Sequence, residues 1–241
     1  MPRSLPTPMA DPCLGPPPLG ELDLSPAEIR QLHSFLDGSI MSPFVRHRLW
    51  HSWGFCPRHT WAFGSCDIDI RSTRPFSVGI LYEDLAGRAA RVLSAHRPLA
   101  WRLRQLESRD VCFTCDYLEI ARSGSFEPYV FELQVRANRR ERTRRQLAES
   151  RPVWEKQVCP VCLGGDGVTC RPHLLAGAGR PVRAVAAYLA DLTERLGAMQ
   201  DSFTWRGPVA TPEQKASWVE ALGWFGGWEF PFRILGADAA I

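Results

Sequence analysis

The sequence predicts a mainly α-helical fold, an irregular multi-helix domain with little or no β-sheet, and three observations lead there. Apolar residues recur at steps of three and four in several segments, and most of those segments open on a helix-start signal. Only SFEPYVFELQV, at 125–135, has the composition of a strand, and it serves equally as the entrance to the arginine-rich helix that follows. Four pairs of cysteine or histidine, each pair separated by two residues, are spread so that they can tie separate helices together.

The elements follow in order. Ser25-Pro26-Ala27-Glu28 supplies a capping hydroxyl, a proline at the first helical position and a glutamate that reaches back, and Ile29, Leu32 and Leu36 then step at helical spacing. Ser42-Pro43 repeats the start, Val45, Leu49, Trp50 and Trp53 mark an apolar face, and Gly54 is placed to end the helix. Residues 77–95 carry Ile80, Leu81, Leu85, Ala89, Val92 and Leu93 with the 3.6-residue period, and Pro98 stops or kinks that helix. Val182, Val185, Leu189, Leu192, Leu196 and Met199 predict a long amphipathic helix. Thr211-Pro212-Glu213-Gln214 is a second capping box, opening a helix that buries Trp218, Leu222 and Phe225.

At 241 residues and 45% hydrophobic content the chain can bury a core. The proline-rich stretch 1–22 reads as a disordered leader, because prolines occupy the place of a signal peptide's apolar region. The helical domain is expected over 23–241, with submodules at 23–122 and 123–241. Charged residues interrupt every long apolar run, so no membrane span is expected, and the cytoplasm is the expected compartment. Formal net charge is only +3, yet Lys156 and Lys215 are the only lysines, so nearly all the positive charge is arginine.

The four pairs are Cys56/His59 in GFCPRH, Cys112/Cys115 in CFTC, Cys159/Cys162 in CPVC and Cys170/His173 in CRPH. With two intervening residues the backbone turns back tightly enough for two side chains to meet one ion, and four such ligands complete the tetrahedron that zinc accepts. Cys159, Cys162, Cys170 and His173 form a local set around the turn Gly164-Gly165-Asp166-Gly167. Cys56, His59, Cys112 and Cys115 form the second set, which needs long-range assembly. Two zinc ions per chain follow from the ligand count. Cys13 and Cys66 lack an x2 partner and are read as non-ligands, and histidines 33, 47, 51 and 96 as packed or solvated.

Four protein ligands leave no place for a reactive water, which points to structural metal and away from an enzyme. The deaminase pattern is incomplete, since no His-x-Glu precedes CPVC, and HExxH, a phosphate loop and a GxSxG elbow are all absent. Residues 136–151 hold seven arginines against two glutamates, so Arg139, Arg140, Arg142, Arg144 and Arg145 are candidates for nucleic-acid contact, with a solvated helix face as the alternative. A thiol oxidoreductase using CFTC or CPVC is a third reading. The tail SWVEALGWFGGWEFPF is expected to be mostly core, with a partner-binding patch as the alternative.

RLWHSWGFCPRHTWAF, a CxxC opening a helix, CPVC with CRPH and the tryptophan-rich tail together resemble a bacterial domain-of-unknown-function family whose members show CPxC and GFCxxH elements. The resemblance spans about residues 40–228 and is specific in the GFCxxH and CxxC segments. It implies metal ligation by those residues and no particular activity. The chain departs from the pattern in lacking a CPxC just upstream of GFCPRH, so Cys112 and Cys115 must complete that site. The combined expectation is a non-enzymatic zinc protein that binds a protein partner or joins a larger assembly.

Overall fold

The computed structural model describes residues 24–70, 74–122, 132–178 and 181–236. Among these the chain is helical with no strand, in twelve α-helices: α1 (Pro26–Asp37), α2 (Pro43–Ser52), α3 (Pro57–Ile70), α4 (Phe76–Ser94), α5 (Leu99–Gln105), α6 (Phe113–Arg122), α7 (Glu132–Trp154), α8 (Pro160–Leu163), α9 (Arg171–Leu175), α10 (Val182–Asp201), α11 (Pro212–Gly226) and α12 (Glu229–Ile234). The proline-rich leader and most of the strand-like stretch lie outside the described residues, and from Glu132 onward that stretch is the start of α7.

Both capping boxes form. The Ser25 hydroxyl accepts from the Glu28 amide while the Glu28 carboxylate accepts from the Ser25 amide, and Thr211 and Gln214 repeat the exchange at the start of α11. Ser42 occupies the N-cap of α2 without a side-chain bond to the helix. On α2 the predicted apolar face is corrected at one position: Val45, Leu49 and Trp53 are buried, whereas Trp50 is 37% exposed and its indole N–H reaches Asp84 on α4. The turn out of α2 puts Trp53 itself in the left-handed region at φ 56°, followed by Gly54 at φ 89°. A non-glycine residue in that region needs support, and Trp53 has it: its ring is buried and its indole N–H donates to the Gln105 carbonyl.

The long helices α4 and α10 lie together, and α11 packs on both as well as on α3, α7 and α9. Leu81, Leu85, Ala89 and Leu93 of α4 and Val185, Leu189, Leu192, Leu196 and Met199 of α10 are the buried part of the stripes that periodicity indicated, while Ile80, Val92 and Val182 are only half-buried. Every residue of α11 from Ala216 to Gly226 is buried. Helices from both sides of residue 122 contribute to the same buried cluster. An ion pair set into α11 joins Glu220, 1% exposed, to Arg195 by two bonds of 2.8 Å, with the Tyr188 hydroxyl donating to the same carboxylate. Paired in this way, the buried carboxylate avoids the desolvation cost of an isolated charge.

The tryptophan-rich tail is core. Trp218, Trp224 and Trp228 are each 1% exposed, and the Trp224 N–H donates to the Thr169 carbonyl beside the Cys170 knuckle. Trp154 and Trp228 stack with centroids 6.0 Å apart. Gly223 makes room for this stack, since a Cβ there would lie 2.6 Å from the Trp228 ring. No described helix is long and apolar enough to cross a membrane.

Candidate metal centres

All four cysteine and histidine pairs sit at helix starts. Cys56, Cys112, Cys159 and Cys170 each offer a backbone carbonyl to the amide four residues on, in Thr60, Asp116, Leu163 and Leu174, which makes each the N-cap of its helix, α3, α6, α8 and α9. Their partners His59, Cys115, Cys162 and His173 are then the third helical residues. N-cap and third-residue side chains meet over the exposed amides of the first turn, which is why the capping box works and why the x2 spacing brings two donor atoms to one point. The helix dipole adds partial positive charge there and favours thiolate over thiol.

These helix starts converge two by two. In the first centre the His59 Nδ1 lies 3.4 Å from the Cys56 Sγ, 3.5 Å from the Cys112 Sγ and 3.3 Å from the Cys115 Sγ, with Cys56 and Cys115 sulfurs 3.8 Å apart. In the second the His173 Nδ1 lies 3.7, 3.3 and 3.2 Å from the sulfurs of Cys159, Cys162 and Cys170, and Cys162 and Cys170 sulfurs are 3.6 Å apart. Within each set all ligand atoms fall within 4.8 Å of one another, so both sets can hold a metal ion. A zinc tetrahedron with bonds of about 2.3 Å to sulfur and about 2.0–2.1 Å to nitrogen has S···S edges of about 3.8 Å and S···N edges of about 3.6 Å. The observed edges are close to these lengths. Each centre offers three cysteine sulfurs and one imidazole nitrogen.

Local sequence explains the second centre. Gly164, at φ 68°, ends α8 in the left-handed conformation, and the chain then runs back along its own entrance. Gly167 donates its amide to the Val158 carbonyl at 3.0 Å, and a Cβ on Gly167 would meet the Gln157 carbonyl carbon at 2.2 Å. Glycine is required by that approach, which returns Cys170 to Cys159. Arg171, 8% exposed, donates to the Leu106 carbonyl and the Ser108 hydroxyl, tying this knuckle to the segment that leads into Cys112. Burial draws the Arg171 guanidinium down to about 10.

The first centre is assembled from afar, and a residue that spacing could not reveal completes it. The His59 Nε2, on the far side of the ring from the sulfurs, lies 3.0 Å from the Glu28 Oε1. His59 is 3% exposed and Glu28 is 6% exposed. Arg58 grips the same carboxylate through bonds of 2.7 and 3.1 Å. Burial disfavours the Glu28 carboxylate, but the hydrogen bonds from His59 and Arg58 outweigh it and hold the group well below the usual range. Burial likewise opposes charge on His59, while its bonds to Cys112 and Glu28 lift the imidazole to about 9. Glu28 thus orients the ring so that Nδ1 faces the three sulfurs. The only sequence signal was its place in a capping box.

Both sets contain cysteines whose acidity is shifted. Burial works against ionisation of Cys112, yet hydrogen bonds with Cys56 and His59 bring its pKa well below the ordinary thiol value. The bond from Cys170 lowers Cys162 to about 6, and the same interaction, with burial, pushes Cys170 up. Thiolates crowded together resist further ionisation, and a cation is the natural counter-charge.

The candidate arginines behave differently. Arg142 bonds the Asp69 carboxylate at 2.8 Å, Arg144 pairs with Glu141 and Arg145 with Glu149, so the three whose side chains are described are matched to acids. Arg139 and Arg140 lie on α7, and their side chains fall outside the described residues. Cys66 is buried in α3 and belongs to neither set. Comparison with protein-family models, curated proteins and solved structures returns no match.

Proposed function

We propose that the chain is a structural zinc protein, with one ion at Cys56, His59, Cys112 and Cys115 and a second at Cys159, Cys162, Cys170 and His173, and that the rigid helical body so formed docks a protein partner in a larger assembly. The observation that supports this best is the convergence of four helix N-termini in two tetrahedral donor sets. Zinc fits the donor chemistry, since three thiolates and one imidazole form a soft, tetrahedral set. With four protein ligands per ion, no position remains for substrate, and the role is architectural and non-enzymatic. The GFCxxH and CxxC elements that resemble the bacterial family supply six of the eight ligands, with CRPH supplying the other two, so membership of it forms part of the proposal.

Metal supplies fold energy in such a design. The first ion would join α1, α3 and α6 through Glu28, His59, Cys56 and the CFTC pair, and the second would close the α8–α9 knuckle beneath α11. Treatment with a strong chelator should therefore lower both melting temperature and helicity, and readdition of zinc should restore them. A chelated, metal-free chain with unchanged helicity and melting would defeat the structural role. Alkylation of the native protein separates this reading from a redox one: zinc thiolates react slowly until chelated, whereas a CxxC redox pair reacts at once without releasing metal.

A further inference from the structure

A second cationic region, distinct from the arginines of α7, lies at the junction of α2, α4 and α5. Between Asp84 and Glu107 the chain carries five arginines and no acid. Arg109 follows on the same connection and bonds back to α5 through Gln105. These arginines engage neutral acceptors and aromatic rings: Arg88 donates to the Trp50 carbonyl, Arg102 to the Leu93 carbonyl and Arg109 to the Gln105 side chain. The Arg88 guanidinium lies 5.8 Å from the Trp50 ring centroid and 5.0 Å from that of Trp53, and Arg97 lies 6.0 Å from that of Trp101. None of them has a carboxylate within ion-pair distance among the described residues, although Glu107 and Asp110 flank Arg109 in sequence.

Arg88, Arg109 and Trp50 come together at the end of α2. Arg109 donates its backbone amide to the His51 carbonyl at the end of α2, where Arg88 and Trp50 also meet. Arg88 and Arg91 are on adjacent turns of one α4 face. Burial is the main influence drawing the Arg88 guanidinium down, Asp84 opposes it, and the like charges of Arg109 and Arg91 add to the lowering. Asp84 is already committed to Arg46 and to the Trp50 indole. Trp50 is 37% and Trp101 42% exposed.

We propose that this surface binds a single strand of nucleic acid, its phosphates meeting Arg88, Arg91 and Arg109 and its bases stacking at Trp50 and Trp101. Uncompensated guanidinium charge matches a phosphate chain, and indole rings lined by guanidinium planes match the flat faces of unpaired bases. A lipid surface fits less well, because the most protruding apolar side chains, Trp205 at 97%, Val209 at 90% and Phe44 at 71% exposed, are not part of this set. The inference goes beyond the zinc reading and stands on different residues.

The test is anisotropy of a fluorescein-labelled single-stranded oligonucleotide titrated with the full, metal-loaded chain over a salt series. Binding should weaken linearly in log–log form, and the combined variant Arg91→Glu with Arg109→Glu, both exposed positions, should weaken it at least tenfold. Each arginine that no longer meets a phosphate removes about 0.7 ion for a single strand, so the slope should fall by about 1.4. Arg144→Glu with Arg145→Glu should change affinity less than twofold, and if the charge-reversed variant loses helicity, Arg91→Gln with Arg109→Gln should still show a threefold or greater loss. No binding at low salt, affinity unmoved by the Arg91 and Arg109 variants, or equal binding of polyglutamate or anionic vesicles overturns the proposal.

Discussion

Replacing Glu28 by alanine tests whether the first centre depends on the carboxylate behind its histidine. The substitution leaves the His59 Nε2–H buried without its acceptor, which costs about 1–3 kcal/mol. It also removes the acceptor of the Ser25 amide at 2.6 Å, part of a cap interaction worth about 1 kcal/mol. The Arg58 pair adds at most about 1 kcal/mol, because Arg58 keeps 24% of its side chain exposed. The expected loss is about 2–5 kcal/mol, or about 4–20 °C in melting temperature at about 2–4 °C per kcal/mol for a chain of this size. Metal affinity of the first centre should fall about 10–100-fold, as for other residues that orient a ligating histidine. Glu28→Gln retains an acceptor for His59 and should fall between the two. Timed alkylation under a fixed chelator, mapped peptide by peptide, resolves the centres: Cys56, Cys112 and Cys115 should lose protection early while Cys159, Cys162 and Cys170 keep theirs. Equal protection of the first three cysteines in Glu28→Ala and unaltered protein would refute the reasoning.

Other substitutions probe the remaining interactions. Gly167→Ala places a methyl against the Gln157 backbone and should cost about 1–3 kcal/mol, with early zinc loss from the second centre; a variant with unaltered melting and metal retention would show that the glycine turn has slack. Arg195→Ala strands Glu220 in the core and should cost about 3–5 kcal/mol by denaturant titration, while Arg195→Met with Glu220→Leu should recover most of it if pairing, rather than shape, is what matters. Trp218→Ala should cost about 3–5 kcal/mol, since the ring is 1% exposed among helices with little room to collapse. Acidification should release metal and helicity together, because thiolates and neutral imidazole are the ligating forms and protons compete for both. Metal loss without any change in helicity would contradict that coupling.

Much of the fold was readable because its signals are local. The boxes at Ser25 and Thr211 mark α1 and α11, and the spacing of apolar residues marks α4 and α10. α3 was not readable in this way, because its residues from His59 to Ile68 are buried on every side, leaving no amphipathic contrast. Trp50 shows the opposite limit: its spacing is that of a core residue, yet an aspartate on another helix holds it at the surface. The second centre lies within about fifteen residues of chain and could be read directly, whereas the first depends on the placement of α6 against α3. Glu28 and the α4–α5 arginines were missed for a related reason. Their partners, or lack of them, are set by packing between helices that composition does not encode.

The proposed function depends on two donor sets at helix starts, each holding a zinc ion. Elemental analysis of the purified chain combined with X-ray absorption at the zinc edge tests this most directly. Two zinc ions per chain are expected, each with three sulfur ligands at about 2.3 Å and one nitrogen at about 2.0–2.1 Å. A chain that folds with the same helicity while retaining no metal, or metal bound chiefly through oxygen, would contradict it.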